Sequence, residues 1–85
     1  MKAEEMFVKL GYTKTSPSNS ILCYENKEAE TCITFITNEY KGNRIHVYPL
    51  GDNFQDSGML TYSEIMAIQK QCEELGWNNE LFEES

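Results

Sequence analysis

Basic residues are scarce in this 85-residue chain. Seven lysines and arginines stand against fourteen aspartates and glutamates, which gives a formal net charge of −7. That balance repels phosphate backbones and anionic lipid headgroups, so it argues against direct binding of nucleic acid or of a membrane surface. No apolar run approaches the roughly 20 residues of a membrane-spanning helix. The opening MKAEEMFVKLGY has no apolar signal-peptide core, so we expect a cytoplasmic protein with reduced thiols.

The sequence also lacks the spacings that usually carry catalysis or metal binding. There is no C-x-x-C or H-x-x-x-H pair, no glycine-rich phosphate loop and no nucleophile elbow. The three cysteines, Cys23, Cys32 and Cys72, are widely spaced, and we interpret them as small core residues. We therefore predict no catalytic residue, no cofactor and no metal. An enzyme would require the fold to bring His46 beside Cys23 or Cys32 in an open cleft.

One segment, residues 60–77, shows a helix start, an apolar stripe and a helix stop. Thr61 and Glu64 form a T-x-x-E capping box, in which each side chain satisfies the other residue's amide. Gly76 can take the left-handed conformation that ends a helix. Helical spacing predicts a buried stripe made of Ile65, Ile68, Cys72 and Leu75.

The remaining chain predicts a short helix followed by β structure. The helix, residues 2–10, should stop at Gly11 and bring Phe7 against Tyr12. Residues 13–20 are predicted to form a loop or a strand that ends early. Three β-rich runs then follow, joined by short polar links that imply antiparallel neighbours: 21–25, 31–37 and 44–50.

These elements predict a single α+β domain over residues 1–85, with an acidic tail at 78–85. Its order is α-β-β-β-α, a three-stranded antiparallel meander with two helices packed on one face. Ile33, Phe35 and their neighbours make one face apolar, whereas the other is mixed. Aromatic rings beside an arginine are typical of interfaces, so the mixed face is a candidate contact surface. Its members are Tyr24, Ile36, Arg44, His46 and Tyr48.

Acidic residues accumulate towards the carboxyl end. Glu73 and Glu74 fall in the last turn of the main helix, where negative charge opposes the helix dipole. Three further acids continue this surface: Glu80, Glu83 and Glu84. Such a cluster is either a solvated face that keeps the protein soluble or a surface that attracts a basic partner.

The α-β-β-β-α order resembles that of double-stranded RNA-binding domains. Those domains grip phosphates through a basic start to the second helix. Here that position reads Tyr62-Ser63-Glu64. A carboxylate there repels phosphate, so we predict no RNA binding.

The segments EIMAIQKQCEELGW and EEMFVKLGY resemble short acidic proteins encoded by phages and mobile elements of Gram-positive bacteria. The resemblance implies a small phage-type protein that acts on host machinery, such as an anti-restriction or anti-CRISPR inhibitor. We therefore predict a non-enzymatic interaction protein. It would bind a basic, nucleic-acid-handling host protein through the acids named above. The alternative is a homodimeric structural protein that pairs through the mixed sheet face or an edge strand.

Overall fold

The computed structural model describes residues 1–51 and 59–77 of the chain, which form two helices and four strands. In chain order these are α1 (Ala3–Lys9), β1 (Thr13–Ser18), β2 (Ile21–Asn26), β3 (Thr31–Ile36), β4 (Arg44–Pro49) and α2 (Tyr62–Glu74). The strands make one antiparallel sheet in the order β1-β2-β3-β4, so the fold class is α+β. Neither described helix is long and apolar enough to cross a bilayer. The predicted tail at 78–85 lies outside the described residues.

The sheet has four strands, so the predicted three-stranded meander is wrong by one strand. β1 pairs with β2, with Thr13 opposite Glu25, and the register becomes irregular between Thr15 and Ser18. The sequence of β1, TKTSPS, has no alternation of apolar and polar residues. Thr13 to Ser16 lie exposed at the edge of the sheet, so they need no apolar side chains. Backbone hydrogen bonds to β2 hold this strand in the sheet, and such bonds cannot be detected from the hydropathy of the side chains.

Tyr24 belongs to the core and not to the mixed face where we expected it. It pairs with Ile33 on β3, and its ring stacks on Phe7 of α1 at a centroid distance of 4.0 Å. Only 1% of Tyr24 is exposed to solvent. β2 carries apolar residues on both faces, with Leu22 and Tyr24 on one and Cys23 on the other. Alternation alone therefore did not show which face is buried.

Helix α2 is rotated from the predicted orientation. Ala67 and Gln71 face the core, whereas Ile65 remains 43% exposed and Leu75 37%. The Tyr24 hydroxyl donates a hydrogen bond of 2.6 Å to Gln71 Oε1. A small alanine and a hydrogen-bonded glutamine allow α2 to lie on the tyrosine, and this leaves part of the expected apolar stripe uncovered.

The helix boundaries follow the predicted local chemistry. At the start of α2 the Glu64 amide donates to Thr61 Oγ1 at 3.1 Å, and the Thr61 amide donates to Glu64 Oε1 at 2.7 Å. Gly11 and Gly76 follow α1 and α2 with φ values of 96° and 79°. After the first stop, Tyr12 meets Phe7 edge to face at 5.5 Å, as predicted. These features confirm the capping box and both stops.

Replacing Tyr24 by phenylalanine should destabilise the fold by about 1–3 kcal/mol, because it leaves Gln71 buried without its donor. The double variant Tyr24→Phe with Gln71→Leu should recover most of that loss, since both polar groups are then removed together. Urea unfolding of the single and double variants measures both values. Equal losses in the two variants would show that the hydrogen bond does not tie α2 to the sheet.

Candidate functional site

One face of the sheet has no described helix on it. Both helices contact Tyr24, which lies on the opposite face. Three cross-strand pairs of β3 and β4 project from the side without a described helix: Cys32 with Tyr48, Thr34 with His46, and Ile36 with Arg44. We call the outer residues of this side the open face, and they are Ile36, Arg44, His46 and Tyr48. Four of the five residues predicted for the mixed face are thus brought together, and Tyr24 is the exception.

The open face has exposed polar side chains and an aromatic pair. Arg44 and His46 are exposed, whereas Ile36 and Tyr48 are half-buried. The rings of His46 and Tyr48 lie 4.8 Å apart and are tilted by 40°. A guanidinium on the same face as an aromatic pair can make polar and apolar contacts with one partner at the same time.

Cys23 and Cys32 lie on the same side of the sheet, next to the open face. Thr34 Oγ1 is 3.3 Å from Cys23 Sγ and 3.6 Å from Cys32 Sγ. The pKa of the Tyr48 hydroxyl is raised, first by its hydrogen bond with Cys32. Cys23 and Cys32 are buried, and His46 is opposite Thr34. Both thiols are therefore buried and do not face an open cleft.

The antiparallel helices bring acids from both ends of the chain together. Glu74 at the end of α2 accepts a hydrogen bond of 2.7 Å from the Ala3 amide at the start of α1. Burial raises the pKa of Tyr24 to about 12, and the charges of Glu4 and Glu74 contribute to the same shift. We call this region the acidic end, and it consists of Glu4, Glu5, Glu73 and Glu74. The other predicted acids, Glu80, Glu83 and Glu84, lie outside the described residues.

Glu74 has a structural reason to oppose its own helix dipole. By accepting from the Ala3 amide it caps the positive end of α1, where a carboxylate is favourable. The neighbouring Glu73 forms an exposed ion pair, in which its Oε1 lies 3.8 Å from Lys70 Nζ. The unfavourable position of Glu74 is therefore explained within the fold. Sequence reasoning missed this cap because it depends on which two helix ends become neighbours.

Glu64 has a second partner that local reasoning did not detect. The Tyr12 hydroxyl donates to Glu64 Oε2, while Oε1 accepts from the Thr61 amide. Burial and then the Glu64 carboxylate raise the pKa of Tyr12. One side chain thus caps α2 and holds it against the segment that follows α1. The capping box identified Glu64, but nothing in its spacing indicated the tyrosine.

A cleft of about 550 Å³ lies between the β2–β3 turn and the start of α2. Three carboxylates line it: Glu28, Glu30 and Glu64. No histidine or cysteine belongs to its described lining. Within residues 1–51 and 59–77, no group of three or more histidine, cysteine or acidic side chains is placed to hold a metal ion.

Comparison with known proteins finds no matching family model, no matching curated protein and no matching solved structure. The resemblance to phage proteins therefore remains a prediction.

Replacing Glu74 by alanine should destabilise the protein by about 1 kcal/mol, because the Ala3 amide loses its capping acceptor. Glu74→Gln keeps an oxygen at that place and should cost less. Glu73→Ala, one residue earlier on the exposed side, is the matched control and should change stability by less than about 0.5 kcal/mol. Thermal or urea unfolding of the three variants measures these differences. Similar losses in all three would contradict the capping role.

Proposed function

We propose that this chain is a non-enzymatic interaction protein whose acidic end binds a basic partner protein. The observation that carries the proposal is the exposed acidic end, which joins acids that are about seventy positions apart in the sequence. The acidic end and the net charge of −7 together give this part of the surface a negative electrostatic potential. The phage resemblance supports a host nucleic-acid-handling protein as the partner, and inhibition of that protein as the outcome.

Most of the negative charge is not neutralised within the described chain. Glu4 pairs with Lys14 at 3.3 Å and Glu73 with Lys70 at 3.8 Å, and these are the ion pairs found among the described residues. All four side chains in these pairs are substantially exposed, so both pairs are weak and readily exchanged. A lysine-rich or arginine-rich surface on another protein can replace the internal lysines. Charge of this kind speeds encounter and selects basic partners.

Capture of a partner from bacterial lysate should fall as salt rises from low to high concentration, because salt screens exposed charges. The variant Glu73→Lys with Glu74→Gln changes the charge of the acidic end and keeps an acceptor for the Ala3 amide. We expect it to lose the captured protein. Quantitative mass spectrometry of the bound fraction measures the loss.

The matched control is Glu28→Lys with Glu39→Gln, which makes the same change in net charge on two exposed residues away from the acidic end. It should capture the partner nearly as well as the unaltered chain. Equal loss of the captured protein in both double variants would show that general charge attraction, and not a local binding site, holds the partner. Capture that is insensitive to salt would remove the electrostatic basis altogether.

A second candidate function is supported by the open face of the sheet. The open face combines half-buried Ile36 and Tyr48 with exposed Arg44 and His46, and no described helix packs on it. Two copies that stacked these faces would form a homodimer with a buried aromatic centre. This structural role differs from the first proposal because it needs no foreign partner.

Light scattering at micromolar concentration separates the two candidates. A homodimer should show twice the chain mass, and Tyr48→Glu should convert it to a monomer by placing a charge in the stacked face. Tyr40→Glu is the matched control, because Tyr40 is 95% exposed in the β3–β4 connection. A monomeric mass for the unaltered chain would contradict the second candidate.

A further inference from the structure

Strand β4 forms one edge of the sheet, and alternate backbone groups along it point outwards. The Leu50 amide donates to the Glu30 carbonyl at 2.9 Å, and the β3–β4 register continues without a shift from Pro49 to Arg44. Hydrogen-bonded positions alternate along an antiparallel ladder. The amides of His46 and Tyr48 therefore point to β3, whereas those of Ile45 and Val47 point away from it. No described strand pairs with that outer edge.

The two edges of the sheet differ in how they resist pairing. β1 has a register irregularity between Thr15 and Ser18 and contains Pro17, two features that prevent a further strand from adding. β4 is regular, and its one proline, Pro49, stands at its last position. Natural sheets commonly block edges that must remain unpaired. Only the β1 edge is blocked in this way.

A groove lies beside the outer edge of β4, between that strand and α2. It has a volume of about 530 Å³ and is lined by Ile45, Ile68, Gln69, Cys72 and Glu73. Ile45 is 40% exposed, although it lies on the face that the helices cover elsewhere. Ile68 and Cys72 of the helix's apolar stripe pack against the core but are only partly buried, so they also line the groove. An unpaired edge and an apolar groove thus lie next to each other.

We propose that this edge and groove bind an extended segment of a partner protein, which adds to the sheet as a fifth strand next to β4. The amides and carbonyls of Ile45 and Val47 bond to the main chain of the segment. Alternate apolar side chains of the segment enter the groove and contact Ile45, Ile68 and Cys72. A basic side chain at one end of the segment pairs with Glu73. This site goes beyond the acidic end, since main-chain pairing and apolar burial supply its affinity.

Charge complementarity favours a foreign basic segment over a second copy of this chain. Glu73 is the one ionised side chain in the described lining of the groove. A second copy would bring an identical groove with its own Glu73 and a further net charge of −7. It would also bring Pro49, which has no amide to offer to an outer strand. A segment that carries lysine or arginine meets neither obstacle.

The free edge can be tested by amide hydrogen exchange on the full chain. The Ile45 and Val47 amides should exchange much faster than those of His46 and Tyr48, because only the latter are bonded to β3. The rates should not change with protein concentration. Slow exchange at Ile45 and Val47 that disappears on dilution would show that a second copy holds the edge, which overturns the proposal.

Binding is tested with a display library of random linear peptides, panned against the full chain. We expect selected peptides with apolar residues at alternate positions and a lysine or arginine near one end. A synthetic version of a selected peptide should slow exchange at the Ile45 and Val47 amides. Failure to select any peptide, or selection of peptides that protect neither amide, would overturn the proposal.

Two substitutions at Ile45 separate main-chain pairing from loss of the apolar side chain. Ile45→Pro removes an outward amide that makes no hydrogen bond within the sheet. It should weaken binding of the synthetic peptide by about tenfold or more. Ile45→Thr removes a similar part of the side chain but keeps the amide, so it should weaken binding less. Equal effects would contradict strand addition. Glu73→Gln should abolish the preference for a basic residue in a repeated selection.

Glu73 belongs to the acidic end and also lines the groove, so the two sites are separated by variants that each change only one of them. Ile45→Pro should leave salt-dependent capture by the acidic end unchanged. In turn, Glu74→Gln should leave peptide binding at β4 unchanged, because Glu74 lies against α1 and not in the groove.

Discussion

The contact between Phe7 and Tyr24 sets the layer structure of this protein. The two rings stack at 4.0 Å and 16°, and the same tyrosine donates its hydroxyl to Gln71 of α2. One side chain of β2 therefore touches both helices. Stacked aromatic pairs contribute about 0.5–1.5 kcal/mol beyond the area that they bury. Because Tyr24 fixes which side of the sheet receives the helices, it also determines which residues remain on the open face.

The placement of α2 over Tyr24 forms a contact on one side of the helix and leaves a residue exposed on the other side. On one flank it brings Glu74 to the start of α1, where the carboxylate satisfies an amide that would otherwise lack a partner. On the other flank it does not reach fully over β4, so Ile45 stays partly exposed. The acidic end and the β4 groove are thus consequences of a single helix position.

Features determined by short-range chemistry could be predicted from the sequence, and features determined by tertiary neighbours could not. The capping box of Thr61 and Glu64 and the stop at Gly76 need only local residues, and the structure has them. β1 was predicted only as one of two alternatives, a loop or a strand that ends early, because its exposed side chains carry no apolar period. The face of Tyr24 escaped prediction because both sides of β2 are apolar enough to be buried. Residue types and spacing do not contain the information that decided these two cases.

The candidate surfaces show the same division. Arg44, His46 and Tyr48 could be grouped from the sequence, because alternate residues of one strand share a face. The role of Glu74 could not be found, because its partner Ala3 is near the other end of the chain. The β4 groove was also missed, since periodicity assigned Ile68 and Cys72 to a buried stripe, whereas the structure leaves both only partly buried. A stripe of apolar residues shows that a helix has a side to cover but does not identify what covers it.

The identical order of the strands along the chain and across the sheet has a consequence for folding. Each hairpin closes a short loop, so the entropy lost in forming each pairing is small. The docking of α1 on α2 is different, because it joins segments from opposite ends of the sequence. A ribosome would release the whole meander before α2 emerges. We therefore expect α1 to lack its carboxylate cap until α2 has been synthesised, so that the arrival of α2 completes the start of α1.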